Sequence, residues 1–174
     1  MQNRINVVII LLISNFFYGN TSNDPNIKKV YTTVKIDNEY APTIDGLFNE
    51  SIWDNVKWAG DFIEHEPDNN TSPSQETKFK ILYDNDNLYI AVIAYDSEPE
   101  KIISRLSRRD NLNSDGVFIA IDSYHDLRTA FMFGVGAGGG QADWISSDNG
   151  ENEDNSWDPI WDVKTTINDL GWNA

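Results

Sequence analysis

Between residues 77 and 95 the chain carries a pattern that few folds accommodate. Thr77, Phe79, Ile81 and Tyr83 alternate with Lys78, Lys80 and Leu82, a period of two that sends successive side chains to opposite faces of a strand. Asp84-Asn85-Asp86-Asn87 comes next. Short polar side chains of this kind bond the local backbone and favour a hairpin turn. Residues 88–95 then run almost continuously apolar, which places that second strand in the middle of a core. A lone hairpin is not stable in water, so more strands must cover it.

The rest of the chain supplies them. Residues 29–35 are rich in β-branched and aromatic side chains, and 116–121 (GVFIAI) and 129–135 (TAFMFGV) read as two further core strands. Residues 141–145 resume a strand after four glycines within 136–140, a stretch too glycine-rich for a strand interior and read as a flexible turn. Residues 161–167 alternate again, 169–171 turn the chain, and Trp172 begins another strand. Ala41 to Gly46 is turn chemistry, and Asn49 or Ser51 is placed to cap one short helical turn bearing Ile52 and Trp53. Residues 67–75 and the acidic, Asn-rich 146–156 read as solvated loops. Seven or eight short strands without a long amphipathic helix indicate an all-β antiparallel sandwich, jelly-roll-like in arrangement. Its core is expected to draw on Phe79, Ile81, Tyr83, Tyr89, Ala91, Ile93, Val117, Ile119, Phe131 and Phe133. A two-sided sandwich needs a partner for the strand at Trp172, so the domain is expected to lack its last strand or strands.

The first 22 residues differ from the remainder. They hold one positive charge, Arg4, no acidic residue, and an apolar run over 5–13 broken only by Asn6. This reads as a secretory signal peptide, since nine residues are too few for a bilayer span of about 20. Residues 23–42 are then a linker, polar over 22–26, and a first strand, and 43–174 form the sandwich. Taking Arg4 from the 13 basic residues leaves 12 against 28 acidic ones, a net charge of −16. Such a surface repels phosphate backbones, which argues against nucleic acid as a partner. The sequence has no cysteine, so disulfides, thiolate metal sites and Cys nucleophiles are excluded. About 150 residues suffice for a core that does without them.

The order of segments resembles the bacterial family 9 carbohydrate-binding-module-like domain. The pieces are Thr43-Ile44-Asp45-Gly46 with Trp53, Glu76-Thr77, Ile81-Leu82-Tyr83-Asp84, Asn87-Leu88-Tyr89-Ile90 and Ala94-Tyr95-Asp96. They continue through Arg108-Arg109-Asp110, Ser114-Asp115 before GVFIAID, Arg128-Thr129-Ala130-Phe131, Gln141-Ala142-Asp143, Trp157-Asp158 and Gly171-Trp172. The similarity is to the variant that opens large exported β-rich proteins of the outer membrane. It implies a β-sandwich, polysaccharide or oligosaccharide as ligand, a C-terminal remainder of the same polypeptide as neighbour, and a place in the periplasm, outer membrane or outside the cell. It also implies a sugar held between two tryptophans with an arginine nearby. At the first tryptophan position this chain has Leu112, at the arginine position Gly134, and the second tryptophan falls beyond Ala174.

Sugar sites combine flat aromatics for the apolar ring face with planar polar groups for the hydroxyls. Of the six tryptophans, Trp53 and Trp58 sit in apolar settings and read as core, whereas Trp144 and Trp157 flank the acidic loop. Trp144 and Trp157 are therefore the candidate stacking faces, with Arg109, Asn113 and Asp115 as polar partners; structural ion pairs are the competing reading of the arginines. The oxygen-rich stretches 84–87 and 148–158 offer donors for a structural calcium, though neither has EF-hand spacing. Catalysis finds no support. His65 and His125 stand alone in polar stretches, and neither HExxH nor Gly-x-Ser-x-Gly occurs. Met132 lies within an apolar run and reads as core packing. The sequence thus points to a non-catalytic binding module of a larger exported protein. The alternatives are a non-binding structural domain at the N-terminus of an outer-membrane protein and, behind it, part of a glycoside hydrolase unit.

Overall fold

The computed structural model describes residues 29–64 and 71–174, together with the backbone of 7–13. The linker expected at 22–26, His65, residues 67–70 of the open loop and the leader apart from 7–13 lie outside the described residues. Among the described residues ten strands form two five-stranded sheets. The first contains β1 (Val7–Ile13), β5 (Gly116–Asp122), β6 (Ala130–Gly136), β7 (Gln141–Ser147) and β8 (Asn152–Asp154), paired in the order β1-β5-β6-β7-β8. The second contains β2 (Val34–Lys35), β3 (Thr77–Tyr83), β4 (Leu88–Tyr95), β9 (Thr166–Asn168) and β10 (Gly171–Asn173), in the order β2-β3-β4-β10-β9. The only helical elements among the described residues are short 3-10 turns. The pairing is antiparallel except at two edges, where β1 runs parallel to β5 and β2 parallel to β3.

The hairpin expected at 77–95 forms in full, with Thr77 opposite Ala94 and Tyr83 opposite Leu88. Asp84 closes it. Its Oδ1 accepts the backbone N–H of Asp86 at 2.8 Å and of Asn87 at 2.7 Å, while its Oδ2 accepts the Tyr89 hydroxyl at 2.7 Å. The carboxylate thereby satisfies backbone donors that the turn would otherwise leave unpaired.

The two sheets meet in a core of Val92, Val117, Ile119, Val135, Ala137 and Trp172, with Phe79, Ile90, Ala94 and Phe133 packed against it. A second cluster lies on the other face of β3 and β4. There Leu82 and Ala91, both fully buried, pack with Ile36, Trp53 and Val56, and Phe48, Trp58 and Tyr89 close around them. Residues 31–58 thus cover what would be the outer face of that sheet. Apolar side chains on both faces explain why 88–95 shows no clean alternation.

Several expectations are corrected by this second layer. Ile90, Val92 and Ala94 face the inter-sheet core, whereas Tyr89 and Ala91 belong to the outer cluster and Ile93 shares their face. Tyr83, at the hairpin end, is 39% exposed rather than core. The strand expected at 29–35 is reduced to two residues. The strand expected at 161–167 survives only as Thr166–Asn168, because 161–165 has no ladder partner. The loop at 146–156 instead continues the first sheet, with Ser146 opposite Glu153. The short helical turn is a 3-10 segment, Ser51–Asn55, preceded by Glu50 and without a side-chain cap from Asn49 or Ser51. Residues 136–140 make a hydrogen-bonded β6–β7 hairpin turn, with Gly136 N–H donating to Gly140 O at 2.9 Å and Gly139 N–H to Gly136 O at 2.8 Å.

Candidate functional site

The five residues expected to bind sugar separate into three places. Trp144 lies opposite Met132 in the β6–β7 register, so both project from the outer face of the first sheet. There Trp144 meets Phe118 edge-on at 5.8 Å. Met132, expected in the core, is therefore a half-buried outer-face residue. Phe131 and Phe133 flank Met132 and project inward. Trp157 packs on those two rings, at 4.9 and 5.5 Å between centroids. Trp144 and Trp157 consequently stand on opposite sides of one sheet and do not share a binding face.

Asp115 is buried, with 4% of its surface exposed. Its Oδ2 accepts the Ile103 N–H at 3.0 Å, its own N–H donates to Ile103 O at 2.9 Å, and its carbonyl accepts the Ala137 N–H at 2.8 Å. It joins the segment before β5 to the β6–β7 turn. Asn113 is exposed on that same crossing segment.

Arg109 sits with Trp157. One of its amino groups, Nη2, reaches Asp143 Oδ2 at 2.6 Å, Asp158 Oδ1 at 3.0 Å and Pro159 O at 2.8 Å. Asp143 is 1% exposed on the inward face of β7, an expensive position for a carboxylate unless charge and hydrogen bonds surround it. Its Oδ2 also accepts the Trp161 indole N–H at 3.1 Å. Trp161 in turn meets Phe133 edge-to-face at 5.3 Å and 85°. Gln141 Nε2 donates to Trp161 O at 3.1 Å. Arg109 and Asp143 therefore lash residues 157–161 to the sandwich. Beside them opens a cleft of about 410 Å³ lined by Ile44, Gln141, Trp161, Asp162, Val163 and Lys164.

Sequence reasoning passed over Asp143, Gln141 and Trp161 as functional groups. The available signal was polar Gln141 and Asp143 at alternate positions of a predicted strand, one of whose faces had to be buried.

The expected stacking position at Leu112 has its own explanation. A Cβ built on Gly134 would stand 2.7 Å from Phe118 Cε1 and 3.0 Å from Leu112 Cδ1. Leu112 and Phe118 thus occupy the space above Gly134, and a larger residue there would displace them. The two departures from the family pattern therefore lie next to each other, with Leu112 covering Gly134.

The calcium expectation fits poorly. Asp84 spends both oxygens on the hairpin, Asp148 on Arg128 at 2.7 Å and Asn152 at 2.8 Å, and Asp154 Oδ1 on the Ser156 N–H and hydroxyl. Among the described residues no group of three or more His, Asp or Glu is placed to hold a metal.

Buried polar clasps, half-buried aromatic faces and a shallow cleft are thus set on a two-sheet β-sandwich. The model of the carbohydrate family 9 binding domain-like family matches residues 44–138, and the chain belongs to that family. Two solved structures of a family 9 carbohydrate-binding module from Caldicellulosiruptor kristjanssonii, one in complex with glucose and one with cellotriose, share the fold. Each matches with a TM-score of 0.50 and 20% identity over 82% of this chain. The chain spans 65% and 64% of their respective lengths. No curated protein matches the chain.

Proposed function

We propose that this chain is the carbohydrate-binding module of a larger exported protein and that it takes up polysaccharide or oligosaccharide chains. The observation that carries the reading is family membership over residues 44–138, supported by a fold shared with modules in complex with glucose and cellotriose. One sugar ring cannot stack on both Trp144 and Trp157, which stand on opposite sides of the sheet. Trp157 shares its side with Arg109 and Trp161, so ligand binding belongs there. Shallow aromatic contacts with a few hydrogen bonds give affinities from micromolar to millimolar, roughly −8 to −4 kcal/mol.

A glycan array followed by titration calorimetry tests this. Binding to at least one neutral glycan is expected, unaffected by Trp144→Ala. A structural domain without ligand is the second reading, favoured by Leu112 filling the space above Gly134. Absence of binding across the array decides for it.

A further inference from the structure

We infer that the cleft beside residues 161–164 is a subsite for a neutral saccharide, with Trp161 as its aromatic wall, Gln141, Asp162 and Lys164 as hydrogen-bonding partners, and the clasp between surface Arg109 and buried Asp143 as the device that holds the wall in place. The inference rests on the carbohydrate-binding reading and gives it a location.

The first support is the rigidity of Trp161. A ring that stacks on sugar loses less entropy on binding when it is already fixed. Trp161 is fixed by its indole N–H on Asp143, by the ring of Phe133 and by its carbonyl on Gln141. The second is the cost of the clasp. A buried carboxylate is costly unless a charge partners it, and Arg109 supplies that charge from the surface, its side chain 35% exposed. Asp143, enclosed at 1% exposure, holds Arg109 and Trp161 through the same oxygen, Oδ2. Arg109 then fixes Asp158 and Pro159, the residues leading into Trp161. The network thus orients one aromatic side chain and the segment that carries it.

The third support is the lining. The cleft is shallow and open, with a volume of about 410 Å³. Along 161–164 Trp161 and Val163 are half-buried against the core and Asp162 and Lys164 are exposed, and all four line the cleft. Among the described residues neither Asp162 nor Lys164 makes an ion pair. A carboxylate acceptor, an ammonium donor and an amide lining one cleft with an indole suit the alternating C–H and O–H groups of a sugar. The chain's formal net charge of −15 favours a neutral ligand over an anionic one.

The test uses the full chain with 15N-labelled tryptophan, titrated with cellotriose, xylotriose and mannotriose while the indole N–H resonances are followed. At least one trisaccharide is expected to shift the Trp161 resonance saturably. The charge-neutral double variant Asp162→Ala/Lys164→Ala, with both positions exposed, should keep the parent melting temperature and bind at least tenfold more weakly. Saturable binding that moves Trp144 alone, with the double variant binding as the parent does, overturns the cleft and leaves the carbohydrate reading intact. No binding to these trisaccharides or to any array glycan overturns both.

Discussion

Asp84 shows how much one carboxylate organises. The Tyr89 hydroxyl, with the backbone N–H groups of Asp86 and Asn87, holds its carboxyl below the ordinary carboxylate range. A group whose folded pKa is depressed stabilises the fold above its unfolded value, about 3.9. As the pH falls through that range the unfolded chain takes up the proton first, and the contribution fades until the folded group also protonates. The melting temperature is therefore expected to drop on acidification below about pH 4, and to drop less steeply in Asp84→Asn. Thermal melts of both proteins between neutral and acidic pH measure the difference. Equal acid slopes would mean that Asp84 is not the titrating group. Arg109 makes a different case. Arg109→Met leaves Asp143 buried with the Trp161 indole as its remaining side-chain donor, a loss of about 3 kcal/mol in urea denaturation. The double variant Arg109→Met/Asp143→Leu removes both charges and should recover most of that loss.

At the level of elements, the second sheet is joined through a very close contact. Gly171 has φ +139°, and a Cβ there would lie 2.1 Å from Ala94 O. Only glycine lets β10 approach β4 and carry Trp172, 5% exposed, into the core. Gly171→Ala is expected to cost about 3 kcal/mol or more and to weaken the protection of β4 amides against hydrogen exchange. Unchanged exchange at Val92 and Ala94 would show that the strand tolerates the displacement. The strand beginning at Trp172 was legible, as was the 77–95 hairpin, because turn chemistry and period-two alternation are local signals, although Gly171, read as turn, already belongs to β10. The face that each β4 residue takes was not legible, since it depends on residues 31–58 covering the far side of the sheet. Of the candidate site, Arg109 and Trp157 share a side of the sheet, through Arg109's bonds to Asp158 and Pro159, a proximity that residue type does not reveal. Trp144 was grouped with Trp157 because both border the acidic segment, but sheet register sends them apart. Asp143 stayed hidden because a lone carboxylate in a strand reads as solvent-facing until its partner 34 residues earlier in the chain is seen.

For the whole molecule the open question is which strand borders β5. Residues 7–13 pair with it in parallel over seven positions, from Val7 opposite Gly116 to Ile13 opposite Asp122. The same apolar run is the heart of the segment proposed as an export leader. Both roles draw on one stretch of chain, and only one can persist in the mature protein. β5, with the sequence GVFIAID, has no Lys, no Pro and no bulge to blunt an open edge. Two of its side chains, Val117 and Ile119, belong to the inter-sheet core, so its ladder cannot fray without loosening that core. Removing residues 1–22 is therefore expected to lower the melting temperature and to promote concentration-dependent association through β5. Light scattering behind size-exclusion chromatography, on the full chain and on the shortened one, reads the change directly. Intact-mass measurement on protein recovered after export identifies the form that exists outside the cytoplasm, and the leader proposal requires that it lack the N-terminal segment. A shortened chain that stays monomeric at high concentration and melts with the parent would show that β5 needs no partner.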